Sequence, residues 1–152
     1  MTNTIQILSI NQTGKENILK KELKNQSIKV LDSYLFSNQI SESNFHKISN
    51  ILSNNVSQVV LTNKNYKKIL TYYGNFNWVI EIKFLPGVTD NIANTAKEII
   101  SENIKGNVNK FKIGSSKIFL IKGSKQTAER ITKKESNPLI HKIRITTFKK
   151  YL

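Results

Sequence analysis

Cysteine is absent from the 152 residues, so a disulfide framework, thiolate metal ligands and a cysteine nucleophile are all excluded. Imidazole is nearly absent too, with only His46 and His141, and neither completes a metal site with an obvious local carboxylate or a second imidazole. Proline occurs twice and glycine six times, too few for a collagen-like or low-complexity chain. No apolar run approaches the roughly 20 residues that a membrane-spanning helix needs. Met1 to Ile10 alternates polar and apolar residues instead of forming a signal-peptide core. These absences predict a soluble, cytoplasmic protein with no membrane partner. Acidic residues are also scarce: 10 against 24 Lys plus Arg, for a net charge of +14. Nine lysines against four acids in residues 1–70 give +5, and fifteen basic residues against six acids in 71–152 give +9, so both halves are basic. All but two of the basic residues are lysines scattered among Asn and Ile, residues that AT-rich codons favour. The excess is read as compositional background, against the alternative of a basic nucleic-acid-binding α/β module in which Trp78 and Phe119 stack on bases.

What is present is apolar periodicity along the whole chain, 38% hydrophobic overall, in a length that suits one ordinary domain or two small ones. Thr4 to Ile10 reads as a strand and Lys15 to Gln26 as a helix with Ile18, Leu19 and Leu23 in its stripe. Ile28 to Leu31 and Tyr34 to Phe36 read as two short strands around the turn-favouring pair Asp32-Ser33. Ser41 caps a helix with Phe45, Ile48, Ile51 and Leu52 inward, and Val56 to Leu61 returns to strand. Residues 63–77, rich in Asn, Lys and Tyr, read as a connector with a short strand at Ile69 to Tyr73. Trp78 to Phe84 is the clearest strand, with Trp78, Ile80, Ile82 and Phe84 on one face. Pro86-Gly87 ends it, and Thr89 or Asp90 caps a helix with Ile92, Ala96, Ile99 and Ile100 buried. Val108 to Ile113 and Lys117 to Lys122 read as a hairpin around Gly114-Ser115-Ser116. Ser124 opens a helix to about Lys134, and Leu139 to Thr147 is the last strand.

Placing Ser53-Asn54-Asn55 over Ser136-Asn137-Pro138 gives an offset of 83 residues, which also sets Ser41 on Ser124, Ile48 on Ile131 and Leu35 on Ile118. The expected architecture is therefore α+β: two tandem β-α-β-β-α-β units, 1–62 and 78–152, each an antiparallel sheet with helices on one face. The sheets are expected to pack through their helix-free faces as an internal pseudo-dimer, with Val79, Phe119 and Ile121 at the contact.

No nucleophile elbow, P-loop or dinucleotide fingerprint occurs. Glu98 with Glu102, and Glu81 with Asp90, read as solvated charges that balance lysines. Phe84-Leu85-Pro86-Gly87-Val88-Thr89-Asp90 places a glycine turn before a helix N-terminus, a position that can bind an anion. A carboxylate at the cap already fills that place, so the stretch reads as architecture.

The run Trp78 to Asp90 resembles the first strand and turn of the PurS family, the small subunit of phosphoribosylformylglycinamidine synthase. Val108 to Leu120, with Lys112-Ile113-Gly114, resembles that family's hairpin, and Ser136-Asn137-Pro138-Leu139-Ile140 its asparagine-proline turn. Leu52-Ser53-Asn54-Asn55-Val56 resembles the same turn without the proline. The family hairpin usually carries Arg, any residue, Gly, Lys; here it reads Lys112-Ile113-Gly114-Ser115, with a lysine at Lys117. The resemblance implies a non-catalytic component of purine biosynthesis that joins a PurL-type synthetase to a PurQ-type glutaminase, and it leaves self-association open. ATP and magnesium would be bound by the synthetase, and this chain would hold no cofactor. In large fused versions of the enzyme the N-terminal region resembles a dimer of the small subunit. The residues singled out for structure or partner contact are Pro86, Gly87, Thr89, Asp90, Lys112, Gly114, Asn137 and Pro138.

Overall fold

A computed structural model describes residues 3–9, 14–22, 27–37, 40–54, 56–62, 65, 67, 71, 74–105 and 112–152. Six strands, β1 (Asn3–Ser9), β2 (Ile28–Phe36), β3 (Gln58–Thr62), β4 (Trp78–Phe84), β5 (Ile113–Ile121) and β6 (His141–Thr147), form one antiparallel sheet in the order β3-β1-β2-β5-β4-β6. The helices with described bounds are α1 (Gly14–Glu22), α2 (Glu42–Leu52), α3 (Asn91–Asn103), α4 (Lys125–Glu135) and the single turn α5 (Phe148–Tyr151). Among the described residues no helix is long and apolar enough to cross a membrane.

Two expectations are corrected. Asp32 and Ser33 do not turn the chain, because β2 runs unbroken through them, and Gly114-Ser115-Ser116 likewise lies inside β5. The described elements of each half therefore read β-α-β-α-β; residues 106–111, where the first hairpin strand was expected, lie outside the described residues, as do 69, 70, 72 and 73 of the expected connector strand. Nor do the described strands form two sheets face to face, since all six join one sheet. β2 and β5 pair edge to edge over nine residues, from Ile28 opposite Ile121 to Phe36 opposite Ile113. Each is long enough to supply a full ladder, and the ladder satisfies backbone groups that an open edge would leave to water. One pair from its centre at Asp32 opposite Lys117, Ser33 stands opposite Ser116, residues 83 apart.

The same spacing recurs in hydrogen bonds. Ser41 and Ser124 cap α2 and α4 by accepting from the backbone N–H of Asn44 and Thr127, each at 3.2 Å. The side chains of Asn54 and Asn137 accept from Val56 N–H and Leu139 N–H, each at 3.0 Å. The backbone N–H of Asn54 donates to Gln58 Oε1 at 2.8 Å, and that of Asn137 to His141 Nδ1 at 2.9 Å. His141 is thus a turn acceptor, and His46 is exposed on α2.

Alternation along the paired strands sorts the core into two faces. On the helical face, Leu19 of α1 and Ala128 and Ile131 of α4 cluster with Ile28, Ile80, Ile82, Phe119 and Ile121. Ile48 of α2 and Ile100 of α3, with Ile104, cluster with Ile5, Ile7 and Phe36. The α1 residue joins strands of the second half and the α3 residue joins strands of the first, so the halves share their cores. Phe119 and Ile121 accordingly face the helices, and Leu120 and Ile118 take the opposite face with Val79. That face is covered in part by Phe76 and Phe148, whose rings meet edge to face at 5.6 Å, and by Tyr151 and Leu152. Ile18, Ile92 and Ile99, expected in buried stripes, are exposed.

Candidate functional site

The motifs singled out from the sequence converge on one end of the sheet. Leu85-Pro86-Gly87-Val88 closes with Val88 N–H donating to Leu85 C=O at 3.1 Å, and Gly87 has φ +85°, the left-handed value a type II turn requires at its third residue. Leu85 N–H donates to Ile140 C=O at 2.9 Å, which ties this turn to the Asn137-Pro138 turn. Asp90, rather than Thr89, caps α3: Oδ1 accepts from Ala93 N–H at 2.9 Å and from Ser115 Oγ at 2.7 Å. Its Oδ2 accepts from Ser115 N–H at 2.7 Å. The carboxylate therefore occupies the place an anion would take and bolts α3 to β5 beside Gly114. Pro86, Gly87, Thr89, Lys112, Asn137 and Pro138 lie exposed around this end.

Replacing Asp90 by alanine removes a helix cap and leaves two Ser115 donors without their acceptor. The expected loss is about 2 to 3 kcal/mol, less than the sum of the separate effects because the site is partly solvated. Urea denaturation should show it, with Asp90→Asn losing less because asparagine still caps. A loss for Asp90→Ala no greater than for alanine at exposed Thr89 would contradict the bolt.

A second site was not legible in the motifs. On the face away from α1 to α4, Gln6, Ser33, Ser116 and Lys83 stand opposite one another across β1, β2, β5 and β4. Ser33, Ser116 and Gly114 are too small to fill the surface between their neighbours, and a hollow of about 330 Å3 results. Gln6 and Glu81, with Ser33 and Ser115, are buried polar side chains of its lining. Gln6 is 4% exposed; its Nε2 donates to the Tyr151 hydroxyl at 3.1 Å, and among the described residues its Oε1 has no hydrogen-bond partner. An orphaned buried acceptor costs about 1 to 3 kcal/mol. Glu81, read from the sequence as a solvated charge, is 7% exposed and pairs with Lys83 Nζ at 2.7 Å and Arg144 Nη2 at 2.9 Å. Arg144 is its direct cross-strand neighbour, and Lys83 lies two residues on along the same face.

Burial raises the Tyr151 hydroxyl above its ordinary pKa, and the Gln6 bond partly offsets this. Tyr34, on the helical face, is also raised, first by burial and then by the charges of Asp32 and Asp90. Both phenols are thus held neutral, as hydrogen-bonding groups. Glu98 and Glu102 are exposed on α3. Phe119 is 1% exposed, and Trp78 packs against the same cluster, so these rings form no open stacking platform.

The exposed apolar residues show a pattern of their own. Val56 and Leu139, 83 residues apart at matching places in the two asparagine turns, are 88% and 83% exposed. Each turn leads into an outer strand, β3 or β6, at opposite edges of the sheet. No protein-family model matches the chain, and no curated protein sequence matches it.

Proposed function

We propose that the chain is a duplicated, non-catalytic scaffold that joins an ATP-dependent synthetase to a glutaminase in purine biosynthesis, the role implied by its resemblance to the PurS family. The observation that carries the proposal is the pair of exposed aliphatic tips, Val56 and Leu139, held by the same asparagine bonds on the two edges of the sheet. Isolated exposed aliphatics are ordinary; two at equivalent places in a repeated turn suit two docking points on one rigid body. Duplication is supported by the bonds that recur 83 residues apart and by a β2–β5 ladder centred near the same spacing. The convergence of Pro86, Gly87, Asn137 and Pro138 on one exposed end gives the resembling motifs a shared surface.

The test mixes the purified chain with a PurL-type synthetase and a PurQ-type glutaminase. Co-elution of the three is expected, with glutamine-dependent amidine synthesis falling at least about tenfold when the chain is omitted and ammonia-dependent synthesis much less affected. Val56→Glu with Leu139→Glu should weaken co-elution without unfolding the chain. No co-elution, with synthesis unchanged by the chain, would reject the role.

A further inference from the structure

The hollow on the helix-free face has a chemistry that a purely bridging scaffold leaves unused. At one side the Gln6 Oε1 lacks a partner among the described residues although the side chain is almost wholly buried. Buried acceptors in folded proteins are nearly always satisfied, and an orphan beside a hollow large enough for a small molecule points to a donor supplied from outside the chain. The floor carries the hydroxyls of Ser33 and Ser116. The far side carries Lys83 and Arg144, which share the single Glu81 carboxylate. Arg144 has five N–H donors in its fork, and only its Nη2 is placed on Glu81, so the guanidinium can accept a second carboxylate.

We propose that this hollow binds a small zwitterion of the α-amino-acid type. Its ammonium donates to Gln6 Oε1 and the serine hydroxyls, and its carboxylate meets Arg144 and Lys83. Charge selects this class over a phosphate ester. Lys83 and Arg144 are balanced by Glu81 and Asp90 around the same hollow, so a polyanion meets no net positive field, whereas a dipolar ligand finds an acceptor at one end and cations at the other. The Gln6 oxygen is shut off from solvent, so binding requires the amide to turn toward the hollow. The proposal does not depend on the scaffold reading, and its test needs no partner protein.

The full chain is titrated with glycine, L-serine and L-glutamine while its 1H–15N spectrum is followed, with acetate, methylamine and inorganic phosphate as separate controls. Saturable shifts are expected for the Gln6 side-chain amide and the Ser33 and Ser116 backbone amides with at least one amino acid, and much weaker shifts with each control. Ser116→Val fills the floor with a residue suited to a strand and should weaken binding by about tenfold or more with the remaining spectrum intact. Arg144→Gln, at an exposed position, gives a second variant with the same expected loss should the valine perturb the sheet. The proposal is overturned if no amino acid produces saturable shifts at these residues. It is equally overturned if phosphate or acetate alone binds as tightly, or if folded Ser116→Val and Arg144→Gln variants both bind as the parent does.

Discussion

Replacing Phe119 by alanine destabilises the protein by about 3 to 5 kcal/mol, and the same change at Phe36 costs a comparable amount. Neither ring is more than 1% exposed. The two positions are 83 residues apart in the chain and occupy different clusters. Phe119 packs with Leu19, Ile80, Ile82, Ala128 and Ile131, whereas Phe36 packs with Ile5, Ile7, Ile48, Ile100 and Ile104. A cavity left by either ring is walled by strands fixed in a ladder and by helices capped at Ser41, Asp90 or Ser124, so it collapses only partly. Against a total stability of about 5 to 15 kcal/mol, either variant loses a large fraction. Because both clusters draw on both halves, each variant should shift one cooperative unfolding transition to lower denaturant without splitting it. Alanine at the exposed Ile18 is the reference, expected to change stability by less than about 0.5 kcal/mol.

Neither half of the chain is expected to fold as an independent monomer. A fragment covering residues 78–152 keeps β4, α3, β5, α4 and β6, but β5 loses the partner that satisfies nine residues of its edge. In the same fragment Ile100 loses Ile5, Ile7, Phe36 and Ile48 from around it, and Phe119 and Ile121 lose Leu19 and Ile28. A unit of this size is marginal even with a complete core. Circular dichroism and gel filtration should find the fragment unfolded or self-associated through β5. Addition of the fragment 1–77 should restore a heterodimer with the parent spectrum. A monomeric 78–152 that unfolds cooperatively would contradict the shared core.

Much of the fold was legible in the sequence, and for reasons that stay local. Trp78 to Phe84 declares itself because alternation over seven residues matches the two-residue period of a strand and puts no continuous stripe on a helix. Ser41 and Ser124 mark helix starts because their hydroxyls satisfy N–H groups within three residues. The spacing of 83 residues is visible because the asparagine turn uses short side chains in fixed places. What escaped depends on distant partners. Asp32-Ser33 and Gly114-Ser115-Ser116 have turn-forming composition, and the nine-residue β2–β5 ladder holds them extended, together with the pairing of Asp32 and Ser33 to β1, of Ser116 to β4, and the Asp90 bonds to Ser115. Once β5 is continuous, the outward and inward residues are settled along its whole length, which is why Phe119 faces the helices.

The hollow was invisible for the same reason. Gln6 and Lys83 are far apart in the chain and come into line only through Ser33 and Ser116. The signal available in the sequence was compositional: three small residues in a row beside the best strands, which fit a hollow in a sheet as well as a turn. Glu81 offered a similar clue, since a carboxylate on a strand flanked by Val79 and Lys83 finds its second cation, Arg144, only across β6.

The edge-to-edge union of β2 and β5 holds the two halves together, and interstrand nuclear Overhauser effects measure it most directly. The predicted ladder gives cross-strand contacts, between α-protons or between amide protons according to the pair, running from Ile28–Ile121 through Ser33–Ser116 to Phe36–Ile113. Contacts that fold β2 back on itself at Asp32-Ser33 and β5 at Ser115, with none between the two strands, would contradict it.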